Sequence, residues 1–132
     1  LWNHALAVTK NNAVAHYNLA TTYATQGDFT AAERHFREAV RVDPRKHDAH
    51  NNLGVMLLQR GDTMGAERHF RRAVNLDPGY ADARNNLASV LFHKGRYDEA
   101  IKHYEAYLRL VPGDEEAIAA LREAREIRRQ MR

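Results

Sequence analysis

The chain has 132 residues, 44% of them apolar and 28% charged, with three prolines, seven glycines and no cysteine. That length supports one core, and that balance excludes a disordered chain and a loop-rich β architecture in favour of helices. A disulfide framework and cysteine-ligated zinc are excluded outright, and a formal net charge of +3, from 20 basic and 17 acidic residues mixed along the chain, lacks the concentrated basic stripe that nucleic acid requires.

In chain order, the first stretch is LWNHALAVTKNN, residues 1–12. It starts on leucine with no basic segment or apolar core behind it, so the chain reads as a piece of something longer without a signal peptide. From Ala13 onward the chain repeats itself. Residues 13–46 and 47–80 share 16 of 34 positions, and residues 47–80 and 81–114 share 12, against roughly two by chance.

Each unit predicts two helices. The first carries apolar residues at helical spacing, as at Leu53, Met56 and Leu57. It ends near Gly61, with Gly27 and Gly95 in the equivalent places, where glycine can turn left-handed. The second runs through Ala66, Phe70, Ala73 and Val74 and ends before Pro78, matched by Pro44 and Pro112. Small residues recur where helices must approach: Ala20, Gly54 and Ala88 on the first helix, Ala32, Ala66 and Ala100 on the second. Large ones recur at Phe36, Phe70 and Tyr104.

With Leu19-Ala20, Leu53-Gly54 and Leu87-Ala88 at a fixed place, these positions resemble the tetratricopeptide repeat over nearly the whole chain. The resemblance implies an all-α, right-handed solenoid of antiparallel helix pairs with three full repeats at 13–46, 47–80 and 81–114. Residues 1–12 would be the second helix of a truncated preceding repeat, with Trp2 in the aromatic slot, Ala5 in the alanine slot and Lys10 where proline would be. Residues 115–132 would be a capping helix, apolar at Ala117, Leu121, Ala124 and Ile127 and arginine-rich outside. Two departures stand out. His16, His50 and Arg84 occupy a place where the family often has tryptophan, and Tyr107 replaces the alanine seen at Ala39 and Ala73.

By the same resemblance the first helix of each unit lines a concave face. The lining residues would include Tyr17, Asn18 and Thr21, then Asp48, Asn51, Asn52 and Leu58, then Asp82, Asn85, Asn86, Phe92 and His93. Asn18, Asn52 and Asn86 share one register. A side-chain amide offers both donors and an acceptor, so it can bond a passing peptide backbone whatever side chains that peptide carries. The pattern is similar to the asparagine ladder of O-GlcNAc transferase-type superhelices. The competing reading keeps these amides inside the wall, bonded to an adjacent repeat or turn.

The family's other recognition mode grips chaperone C-termini through lysine or arginine on the lining. The comparable places here hold Tyr17, Thr21, Asp82 and Asn86, with only Asn52 agreeing, so an acidic tail is disfavoured, and Asp48 and Asp82 point to a basic or neutral ligand. The eight histidines mostly recur with the repeat, at His35, His69 and His103 and at His16 and His50, without an HExxH motif or an i,i+4 pair, so no metal is expected. No nucleophile motif or phosphate loop is present, so neither enzyme activity nor a cofactor is expected.

The expected function is therefore a scaffold that holds a protein or peptide segment on its concave face, without nucleic acid. Membrane insertion is not expected, since no apolar run reaches 18 residues. One alternative is a structural module that self-associates through an unfinished apolar surface at Trp2 and Leu6. Another is a regulatory appendage, because LWNHALAVTKNNAVAH is similar to the junction that follows a multi-spanning glycosyltransferase-type membrane region in some bacterial proteins.

Overall fold

The computed structural model describes the backbone of residues 2–131 and the side chains of residues 11–131. Among the described residues there are seven helices and no strand: α1 (Trp2–Thr25), α2 (Phe29–Val42), α3 (His47–Gln59), α4 (Thr63–Leu76), α5 (Ala81–His93), α6 (Tyr97–Leu110) and α7 (Glu115–Gln130). They form two compact units, one of residues up to Leu76 and one from Asp77 onward. No described helix is long and apolar enough to cross a membrane.

The turn inside each helix pair is built from the same local chemistry. Gly27, Gly61 and Gly95 all have positive φ, between 78° and 86°. In the first of them the Gly27 N–H reaches the Ala24 carbonyl at 3.0 Å and the Asp28 N–H reaches the Tyr23 carbonyl at 2.9 Å, the two bonds of a Schellman close. Asp28 then accepts from the Ala31 N–H at 3.1 Å and so caps α2; Asp62 does the same for Gly65 at the head of α4. One Gly-Asp dipeptide thus ends one helix and starts the next. In the second unit Arg96 replaces that aspartate and α6 begins without a side-chain cap.

In the first unit α1 packs on α2, α2 on α3 and α3 on α4. Phe36 and Phe70 fill the space between paired helices and are essentially inaccessible, as are Leu53 and Leu57. Each such ring stabilises the fold by roughly 3 kcal/mol. Small buried residues set the spacing, at Ala20, Ala32, Gly54 and Ala66, with Gly54 directly against the Phe70 ring. In the second unit α6 packs against both α5 and α7 around Leu87, Leu91, Ala100, Tyr104, Ala117, Leu121 and Ala124.

The helix break foreseen between residues 10 and 13 does not occur, since α1 is continuous from Trp2 to Thr25. Lys10, Asn11 and Asn12 carry backbone N–H groups that the Asp-Pro turns lack at proline, and lysine and asparagine cost a helix well under 1 kcal/mol each, against about 3 for proline. The proposed apolar surface at Trp2 and Leu6 lies outside the described side chains. On the arginine-rich outer face of α7, Arg125 pairs with Glu105 of α6 at 2.9 Å, Arg128 with Asp98 of α6 at 2.6 Å, and Arg129 with Glu126 at 3.0 Å.

Candidate functional site

Among the described residues, each unit has a cavity beside its first helices. In the first unit a cavity of about 310 Å³ is lined by Thr21, Ala24 and Thr25 of α1, Phe36 of α2, and Asn52, Val55 and Met56 of α3. Its floor is apolar because Phe36 and Met56 also belong to the core. Its α1 wall is mild, since Thr21 and Thr25 spend their hydroxyl protons on the carbonyls four residues back, at 2.9 Å each, and present only lone pairs outward.

Asn52 stands at the head of this groove and is held on two sides. Its Nδ2 donates to the Tyr17 hydroxyl at 3.1 Å, across from α3 to α1, and its Oδ1 accepts from the Asn51 Nδ2 at 3.2 Å. The amide keeps one further N–H. Asn52 is therefore part of the wall, as the competing reading has it, with one N–H to spare. Asn51, expected on the lining, is instead buried, at 3% exposure, where it orients Asn52. A residue one place along a helix turns about 100° away, which carries Asn51 inward when Asn52 faces the groove.

Tyr17 is fixed in turn. Its ring meets Phe36 edge-on at 5.7 Å, and the Lys46 ammonium sits 4.7 Å above its centroid. Lys46 also pairs with Asp48 at 3.4 Å, and Asp48 accepts from the Ala49 N–H at 2.8 Å. Asp48 was expected to offer a negative charge to a ligand; it is already neutralised by Lys46. Sequence reasoning missed Lys46 because it lies before α3, outside the lining register. Asn18 is exposed on α1, and Leu58 lies exposed beyond the residues that line the cavity.

In the second unit a cavity of about 300 Å³ lies among α5, α6 and α7. Asn85, Ser89, Phe92 and His93 come from α5, Tyr104 from α6, and Glu116, Ala117, Ala120 and Glu123 from α7. Asn85, Phe92 and His93 were expected here. Asn86 is half-buried and Asp82 exposed, and neither lines the cavity. The α7 contribution had no signal in the repeat, because residues 115–132 are outside the period.

Behind both grooves the position that often holds tryptophan is used differently. His50 is buried, donates from Nε2 to the Pro44 carbonyl at 2.9 Å and faces His69 Nδ1 to Nδ1 at 3.1 Å. Burial holds both rings below the usual histidine pKa, His69 at about 4. His16 and His35 repeat that pairing at 3.1 Å, and His35 stacks on Tyr23. In the third repeat Arg84 takes the role of His50, donating to the Pro78 carbonyl at 3.0 Å and lying 3.3 Å from His103 Nδ1. Among the described residues no three histidine, aspartate or glutamate side chains converge as metal ligands.

Helix pairs closed by positive-φ glycines, with small residues and buried aromatics at a period of 34, define a helical-repeat protein of the solenoid class. The family model described as tetratricopeptide repeat matches residues 17–79 and 57–115, and the chain belongs to that family. No curated relative matches it. Among solved structures it is similar to the first TPR of Spaghetti (RPAP3) bound to the HSP90 peptide SRMEEVD, at 24% identity over 89% of this chain and 96% of that one, TM-score 0.81. It is also similar to the Arabidopsis OM64 TPR domain, at 17% identity over 89% and 98%, TM-score 0.82. The second TPR domain of human RPAP3, in complex with the HSP70 peptide SGPTIEEVD, aligns at 20% identity over 89% and 98%, TM-score 0.80. At these identities the likeness establishes the fold.

Proposed function

We propose that the chain is a non-catalytic interaction scaffold that binds an extended peptide segment along its first helices. The observation that carries this reading is the anchored amide of Asn52 over an apolar cavity, which pairs a backbone donor with space for a side chain. Similar solved domains hold peptides by their own descriptions, which supports the same use of the fold here.

In this reading Asn18, Asn52 and Asn86 bond the ligand backbone. At Asn52 the second N–H serves a ligand carbonyl, since the amide oxygen is engaged by Asn51. Three amides at roughly 0.5 to 1.5 kcal/mol each reach only a few kcal/mol, whereas micromolar binding needs about 8 kcal/mol. The remainder comes from side chains in the cavities. The peptides in the similar structures both end in Glu-Glu-Val-Asp, but Tyr17, Thr21, Asp82 and Asn86 stand where a basic clamp would be, so the ligand proposed here is neutral or basic.

A displayed peptide library selected in parallel on the wild-type domain and on Asn18→Ala, Asn52→Ala, Asn86→Ala tests this, with circular dichroism confirming that both are folded. Peptides enriched by the first and lost by the second support it. Equal enrichment moves the function off these amides, and no enrichment removes peptide binding altogether.

A further inference from the structure

We propose that the cavity among α5, α6 and α7 is a receptor for a guanidinium group, an arginine side chain of the bound segment. This rests on the peptide-scaffold reading and adds to it the chemistry of one ligand position.

The walls of this cavity are acceptors. Glu116 and Glu123 stand two turns apart on α7, so both carboxylates project from one helix face toward α5. Among the described residues neither has a cationic partner, while Asp98, Glu105 and Glu126 of the same unit are each paired with an arginine. Opposite them, the His93 ring donates from Nδ1 to the Ser89 carbonyl at 2.8 Å, which in the neutral ring leaves Nε2 with its lone pair. The Asn85 amide adds a further acceptor oxygen.

Shape and surface select among cations. Phe92 lines the cavity, with its ring held edge-on against Tyr97 at 5.5 Å. An aromatic face with carboxylates spaced around it suits a flat guanidinium, which stacks and fans out five N–H donors, better than a compact ammonium. A cavity of about 300 Å³ is sufficient for one long side chain.

The test is an amide-shift titration of the whole chain with three small probes: N-acetyl-arginine methylamide, N-acetyl-lysine methylamide and N-acetyl-glutamate methylamide. The arginine probe should shift the Asn85, Ser89, Ala117 and Ala120 signals saturably, at least about threefold more tightly than the lysine probe, and the glutamate probe should not. Glu116→Gln, Glu123→Gln conserves shape on exposed helix positions, so it stays folded and should weaken the arginine probe at least about fivefold. No shift at these residues, equal response to all three probes, or an unchanged response in the double variant overturns the proposal; equal binding of arginine and lysine overturns the guanidinium assignment. Because the probes carry no peptide chain, an arginine response beside an unproductive peptide library would sink the scaffold reading and leave this site standing.

Discussion

His50 and His69, nineteen residues apart in sequence, meet through their Nδ1 atoms at 3.1 Å, with rings 5.3 Å apart and 25° from parallel. Since the His50 Nε2–H is committed to the Pro44 carbonyl, its Nδ1 is an acceptor and His69 must supply the proton between them. Two charges would set N–H against N–H. The pair is built to be neutral.

Stability should therefore fall on mild acidification. Burial, then His50, Arg68 and Arg37, hold His69 at about 4, opposed by Asp62; burial and Arg72 lower His50, opposed by the Pro44 carbonyl and Asp43. The folded state binds fewer protons than the unfolded one, so the contribution is complete above the unfolded pKa of about 6.5 and drains as pH falls toward 4. Discounted for solvent screening, about 1 to 2 kcal/mol should be lost between neutral pH and pH ~4.5 in urea unfolding. His69→Gln keeps a donor for His50 and should flatten most of this slope. An undiminished slope in that variant would place the titration elsewhere.

Arg84 imitates a histidine imperfectly, because its Nε is buried without a partner. Arg84→His would rebuild the pairing with His103 and remove that orphan, so it should be neutral or stabilising by up to ~1 kcal/mol. Arg84→Ala removes the bond to the solvent-exposed Pro78 carbonyl, along with the contact to His103, and should cost about 0.5 to 1.5 kcal/mol. Chemical denaturation compares them, and equal losses from the two would refute this account of the site.

The Tyr107 hydroxyl donates to Asp114, which also caps α7 through the Ala117 N–H. This hydrogen bond, with burial, pushes the Tyr107 phenol up to about 12 and draws Asp114 down. Tyr107→Phe should cost about 1 to 2 kcal/mol. In the wild type, phenolate absorbance should show one tyrosine titrating near 12, and that step should vanish in the variant.

A Cβ built on Gly54 would lie 2.6 Å from the Phe70 ring, which is fully buried and has nowhere to move. Gly54→Ala should cost about 1 to 3 kcal/mol by overpacking, even though Ala20 and Ala88 stand at the equivalent places. A thermal midpoint unchanged from wild type would show that α3 and α4 can separate freely.

What the sequence determined by itself was everything set by local chemistry repeated at a fixed interval. The glycine at each helix end, the small and aromatic residues at fixed places and the proline stop recur at the same interval, so the period exposes them and the all-α repeat follows. Only the tertiary structure decided what the exposed faces do. Whether Asn51 or Asn52 faces the groove turns on how α3 is rotated against α1, and Asp48 is paired with Lys46 through a contact outside the register. The Tyr107 departure was visible, but its reason, Asp114, lies across a turn. His50 meets His69 because two helices fold back on each other, and Glu116 and Glu123 reach the second groove from a helix that the repeat does not describe. Juxtaposition across helices depends on the angle and depth of packing, and no spacing along a single chain carries that information.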